Sequence, residues 1–336
     1  MSGWSSQSLS RRKFVGTGLA VAAGVAAAGM VGPGALMPGG FLNPTESAEA
    51  ARTRRWGVWQ PGAPWDINNL ASVESAAGKK PGIVHWYQGW GAGNKAVDIP
   101  LIEQVASYGA WPVITWEPWD YTKGMSQPEY ALRRIIAGNF DDYVRGWARE
   151  LKAYGGKVLL RFAHEMNHLR YPWSVGTNGN TAAEYVRAWR RVHGIFRQEG
   201  ATNVKFIWCP NVSYAGTTPF QDVYPGAEYV DWIGLDGYNG GSGLDWGGWL
   251  SFTQVFKPSY DQLRGYARPM MVCEVGCAES GGDKGRWITD AFASEIPNAM
   301  PRLSAVIWFN ENREVDWRIQ SSQRASRAFR DAVSAW

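Results

Sequence analysis

Short apolar segments recur along the chain at Trp56-Gly-Val-Trp59, Gly82–Trp86, Trp111–Thr115, Lys157–Ala163, Val204–Trp208, Val230–Leu235, Pro269–Val272 and Ser304–Trp308. Between them lie stretches with helical spacing, clearest over Phe140–Tyr154, Thr181–Gln198 and Ser321–Val333. Asn180 or Thr181 is placed to cap the second of these helices. Near-continuous apolar strands alternating with helices predict a parallel sheet covered on its outside. Eight such units predict closure into a single α/β domain, a (β/α)8 TIM barrel. An open doubly wound sheet would want a glycine-rich phosphate turn after the first strand, and Trp59-Gln-Pro-Gly-Ala-Pro-Trp65 is not one.

Composition sharpens this picture. The 336 residues are 45% hydrophobic and 19% charged, which supports a large core and excludes a disordered chain. A net charge of +4, part of it in the N-terminal region, gives no basic stripe for nucleic acid. Cys209, Cys273 and Cys277 are an odd count without zinc-like grouping, and strand alternation is expected to point Cys273 away from the face of its neighbour Glu274. The 20 tryptophans are the outlier. Many stand beside Gly, Pro, Asp or Asn near predicted strand ends, as in Trp116-Glu-Pro-Trp119 and Asp245-Trp246-Gly-Gly-Trp249. Flat rings with one polar edge suit the C–H faces of sugars, although core packing accounts for about half of them as well.

Ser10-Arg11-Arg12-Lys13-Phe14-Val15 precedes a weakly apolar Ala/Gly/Val stretch and resembles a twin-arginine export signal. Residues 1–50 are therefore expected to be a signal and linker, with Ala48-Glu49-Ala50 as a cleavage site, and residues 51–336 the catalytic domain. An uncleaved membrane anchor is the alternative. No later segment resembles a transmembrane helix, so the mature chain is expected to have no stable membrane span and to act as a monomer. Its length without the signal is close to the roughly 250 residues of one such barrel.

Active sites of this fold gather at the carboxyl ends of the strands. Those ends carry Trp59-Gln60, His85-Trp86-Tyr87, Trp116-Glu117, His164-Glu165-Met166-Asn167, Trp208-Cys-Pro-Asn211, Asp236-Gly-Tyr238-Asn239, Glu274 and Trp308-Phe-Asn310-Glu311. Aromatics, amides and carboxylates in a ring fit a neutral polyhydroxylated ligand better than a phosphate or a metal. Glu165 and Glu274 each end an apolar run, where desolvation tunes a carboxyl group. Cleaving a glycosidic bond takes one carboxylic acid to protonate the leaving oxygen and one carboxylate across the sugar, with retention when the two lie about 5–5.5 Å apart. Glu165 is assigned as acid/base and Glu274 as nucleophile, since the charge of Glu274 helps hold the proton on its partner. Tyr238 is placed to hydrogen-bond Glu274, and either glutamate has Arg161 as a pairing candidate. His85 is either a sugar contact or a satisfied core histidine. Glu117 is expected to orient neighbours or meet a hydroxyl, and Asp236 to fix the turn after the sixth strand.

Arg161-Phe-Ala-His-Glu-Met-Asn167 with Tyr171-Pro-Trp173, then Trp208-Cys-Pro-Asn211, Tyr229–Asn239, Glu274-Val-Gly276 and Trp308-Phe-Asn310, resembles glycoside hydrolase family 26. The resemblance implies a retaining (β/α)8 hydrolase without a cofactor. It also implies His164 and Glu165 as the His-Glu pair carrying the acid/base, Glu274 as nucleophile, Tyr238 beside it, and Trp308 as a platform under the sugar. Trp116, Trp173 and Arg170 complete the expected substrate contacts. One departure stands out: where mannanases of the family read Gly-x-Trp before Tyr-Pro-Trp, this chain has His168 and Arg170. The expected substrate is β-1,4-mannan cut internally, with mixed-linkage β-1,3-1,4-glucan second and the producer's own cell-surface glycan third. A sugar-binding protein without turnover would lack one of the two glutamates, and both are present.

Overall fold

The computed structural model describes residues 54–91 and 96–336. The expected export signal and linker lie outside the described residues. Eight parallel strands close into one barrel in chain order: β1 Arg55–Trp59, β2 Ile83–Gly89, β3 Trp111–Glu117, β4 Val158–Phe162, β5 Val204–Trp208, β6 Trp232–Asn239, β7 Met270–Cys277 and β8 Leu303–Phe309. The main outer helices are α1 Ala71–Ala77, α2 Ile99–Tyr108, α3 Asp141–Tyr154, α4 Ala182–Glu199, α5 Phe252–Leu263, α6 Lys284–Asp290 and α7 Gln323–Ser334. Between β5 and β6 stand only two short helical turns, Phe220–Val223 and Ala227–Tyr229. Thr181 caps α4 through a capping box with Glu184, each side chain satisfying the other's backbone N–H.

Strand parity divides the core. Ile83, Val113, Leu159, Ile207, Cys209, Met271, Cys273, Ala305 and Ile307 fill the barrel interior, and residues of opposite parity, such as Val84, Ile114, Leu160, Phe206 and Val306, pack beneath the helices. One strand breaks the alternation. The register of β7 shifts between Leu235 and Asp236 on the β6 side and between Val272 and Val275 on the β8 side. Cys273 belongs to the interior cluster, while Glu274 reaches Arg161 and Tyr238 of the same lumen. Consecutive residues thus turn inward, contrary to the opposite faces expected from simple alternation; the irregularity re-aims a side chain, as bulges near functional sites do.

Gly234 of β6 makes room for this. A Cβ there would lie 2.6 Å from Cys273 Sγ and 2.7 Å from Cys209 Sγ. Gly234→Ala is expected to lower unfolding free energy by roughly 1–3 kcal/mol through overpacking. Urea denaturation measures it, and an unchanged midpoint would mean that the two thiols yield freely.

Candidate active site

Arg161 of β4 is fully buried in the barrel, and its fork of donors organises the polar layer above the apolar one. Nε donates to Thr115 Oγ1 at 2.6 Å, Nη1 to Asp236 Oδ2 at 2.6 Å and Nη2 to Glu274 Oε1 at 2.5 Å. Burial works against the guanidinium charge, and Asp236 with Glu274 overcomes it, so Arg161 stays charged. Because Thr115 accepts from Arg161, its own proton goes to His85 Nε2, 2.6 Å away. His85 is held well below its ordinary pKa by burial, then by Arg161 and His164, and is neutral with its proton on Nδ1.

Glu274 receives two further donors. Tyr87 gives its hydroxyl to Oε1 at 2.6 Å and Tyr238 to Oε2 at 2.5 Å. Both phenols are held well above their ordinary pKa, first by burial and next by the Glu274 charge, and so remain donors. Three charge-assisted bonds orient this carboxylate.

Glu165 is positioned by backbone. After β4 the chain enters the left-handed region at Ala163 (φ 42°) and Glu165 (φ 51°), uncommon for residues with a Cβ. Neighbouring strands hold it there: Ala163 N donates to Trp116 O at 3.1 Å and Glu165 N to Cys209 O at 2.8 Å. The Glu165 side chain, 3% exposed, accepts from Asn211 Nδ2 at 3.0 Å on Oε1 and meets His168 Nε2 at 2.7 Å on Oε2.

The other expected contacts divide. Tyr238 is half-buried beside Glu274, and Arg170 is exposed on the loop after β4. His85 lies beneath the site with no exposed surface and acts on Arg161 and Thr115 rather than on a sugar. His164 is also buried, its Nε2 3.1 Å from Tyr171 Oη. Trp116, Trp173 and Trp308 do not line the mouth. Trp116 has the parity opposite to Glu117 and packs among Trp90, Trp147 and Phe162, with Nε1 donating to Tyr143 Oη at 3.2 Å. Trp308 points under the helices against Trp287 and Phe329 and donates to Trp317 O at 2.8 Å. Trp173 stacks beneath Tyr171 with ring centres 4.6 Å apart and ties the loop by donating to His164 O at 2.7 Å. The aromatic rim consists instead of Trp59 stacked on Phe309 at 4.4 Å, Tyr87, Tyr238 packed on Trp317, and Tyr171 beside Trp119.

Sequence reasoning gave no role to Tyr87, Thr115, Asn211 or Trp317. Tyr87 carried a signal, since it shares the parity of His85 on β2; Trp317, beyond β8, carried none. Asp236 pairs with Arg161 rather than only fixing its turn. Cys209, Asp236 and Cys273, and likewise His164, Asp236 and Glu274, bring possible ligand atoms within 4.8 Å, but Arg161 already supplies the cation at Asp236.

Glu117 is a third buried carboxyl group at the mouth, accepting from Trp119 Nε1 at 3.1 Å. Burial pushes it up to about 7, against the pull of Trp119 and Arg161 and with reinforcement from Glu274 and Glu165. Its folded-state value is above the unfolded one, so between about pH 4.5 and pH 7 the unfolded chain releases this proton first and stability falls as pH rises. Glu117→Gln is expected to flatten that slope, stabilising the protein at pH 8 relative to pH 5 by on the order of 1–3 kcal/mol. Urea denaturation at both pH values checks it; an identical slope would place Glu117 among ordinary carboxylates.

The glycosyl hydrolase family 26 model matches residues 70–329. Endoglucanase H of Acetivibrio thermocellus is 38% identical over 283 residues, covering 83% of this chain and 30% of that protein. A mannan endo-1,4-beta-mannosidase of Bacillus subtilis is 24% identical over 190 residues, 55% of this chain and 46% of its own. The chain thus spans less than half the length of either relative. Among solved structures, a modular Cellulomonas fimi endo-beta-1,4-mannanase superposes with a TM-score of 0.66 at 15% identity, over 86% of this chain and 72% of that one. A Bacillus subtilis mannanase gives 0.62 at 19%, over 86% and 91%. The Glu165 and Glu274 sites both fall inside the matched span, at the mouth of the barrel these structures share. The chain belongs to glycosyl hydrolase family 26.

Proposed function

We propose that this protein is an exported endo-β-glycanase that cleaves its polysaccharide by double displacement, with Glu274 as nucleophile and Glu165 as acid/base. The observation that carries the reading is the carboxylate of Glu274, aimed by the converging donors of Arg161, Tyr87 and Tyr238. In the first step Glu274 bonds to the anomeric carbon while the glycosidic C–O bond breaks and Glu165 passes its proton to the leaving oxygen. Water then attacks the same carbon, gives its proton to Glu165 and releases Glu274. Tyr238 and Tyr87 hold the nucleophile in line, and the rim of Trp59, Trp119 and Tyr171, each only partly buried, offers stacking faces for sugar rings. No helix among the described residues is long and apolar enough to cross a membrane. Export rests on the twin-arginine pattern at Arg11-Arg12.

β-Glucan becomes the first substrate reading and β-1,4-mannan the second. The relative named an endoglucanase shares 38% identity, against 24% for the mannosidase of Bacillus subtilis. Arg170, exposed where the mannanase pattern has an aromatic, also favours a site other than the mannan one.

Glu274→Ala is expected to abolish hydrolysis of every substrate. Glu165→Ala should lose polysaccharide activity yet keep kcat/KM on aryl glycosides whose leaving group needs no proton. Full polysaccharide turnover by the Glu274 variant would end the assignment. Initial rates and product masses on barley glucan, mannan, galactomannan and xylan decide the backbone; preference for mannan would restore the second reading.

A further inference from the structure

His168 stands where the family's mannanase motif has glycine, and its ring is wedged between Glu165 and the loop after β5. It is 5% exposed, with Nε2 2.7 Å from Glu165 Oε2 and Nδ1 3.2 Å from the hydroxyl of Tyr214. Tyr214 is 54% exposed, so the chain Glu165–His168–Tyr214 runs from a carboxyl group closed off from water to a phenol standing in it. Asn211 Nδ2 occupies the other oxygen of Glu165. Tyr171 faces the ring from its own loop with its centre 6.4 Å away, His164 lies against Tyr171, and Arg170 of the same loop acts on the Tyr214 hydroxyl. From β3 and β6, Glu117 and Asp236 feel the charge of Glu165.

We infer that His168 is a positioning residue that shares the proton of Glu165 and keeps the acid loaded, with Tyr214 anchoring the far side of its ring. The inference rests on the acid/base reading of Glu165. With one proton between them, the pair is either carboxyl O–H facing bare Nε2, or carboxylate facing Nε2–H of a doubly protonated ring. A shift along one short hydrogen bond interconverts the two. In both, Nδ1–H donates to Tyr214. When the glycosidic oxygen takes the proton, the pair is left one proton short. The water of the second step returns it, and His168 ends each cycle as it began. Two groups so coupled give up their last proton at a pH no lower than the more basic of them would alone. The imidazole therefore extends the loaded acid to higher pH than a carboxyl group standing by itself.

The test is the pH profile of kcat/KM for His168→Gln, which keeps polar contacts and cannot titrate, on barley glucan and on an aryl β-glycoside with a good leaving group. On the polysaccharide the alkaline limb is expected to move down by at least about half a pH unit, with a loss of about tenfold above the wild-type midpoint. On the aryl glycoside, which needs no proton, kcat/KM should stay within about twofold of wild type. Tyr214→Phe, at a side chain half in solvent and so harmless to folding, should move the limb in the same direction by less. Superimposable limbs for His168→Gln and wild type, or equal losses on both substrates, would overturn the inference. Glu165→Gln separates the two levels. If it too loses the aryl glycoside, the acid/base reading fails; if it spares that substrate while His168→Gln leaves the limb unmoved, only the role of His168 fails.

Discussion

A guanidinium closed off from water inside the barrel is the constraint from which the site follows. Arg161 sits directly above an apolar layer, where an unpaired charge would cost several kcal/mol, so its donors must all find acceptors within the lumen. Thr115, Asp236 and Glu274 supply them from three other strands. Two carboxylates share this one cation. Asp236 is fully buried against one arm of the guanidinium, and Glu274, slightly exposed at the mouth, takes the other. In the proposed reaction this second carboxylate stands beside the anomeric carbon, where an oxocarbenium-like transition state develops positive charge. The same cation that holds the strands' polar layer together therefore presents one carboxylate at the mouth.

Strand alternation made much of this legible. Eight apolar runs with helices between them specified the barrel, and the fourth and seventh runs end on the two carboxylates proposed as catalytic. Alternation also contained the correction to two of its misreadings. On β3, Glu117 at the mouth forces Trp116 to the helix side, and on β8 the inward turn of Phe309 forces Trp308 outward. Reading tryptophan as sugar-stacking by composition overrode a parity that was already in the chain. His85 and Tyr87 show the rule succeeding on β2, where residues of one parity enter the lumen at successive heights.

Other features were out of reach. Cys273 and Glu274 both turn inward because the register of β7 slips, and nothing in Met-Met-Val-Cys-Glu-Val-Gly announces the slip. It becomes intelligible only with its partner strand, where Gly234 clears the space taken by two sulfur atoms. The left-handed backbone at Ala163 and Glu165 was equally silent, since neither residue type favours it. Trp173, expected against substrate, turns out to brace this loop through its bond to His164 O.

The two glutamates are consequently held by different means. Glu274 rides on a strand and is aimed by charge, so its orientation depends on the protonation and identity of Arg161, Tyr87 and Tyr238. Glu165 rides on a strained turn and is aimed by backbone, through bonds to the carbonyls of Cys209 and, one step earlier, Trp116. For the proposed nucleophile, fixed donors hold the attacking oxygen in one place. An acid/base must gain and lose a proton in every cycle, and a permanent cation beside it would hold it ionised. Backbone placement fixes the geometry of Glu165 without fixing its charge, and its side-chain partners, an amide and an imidazole, are groups that tolerate either state.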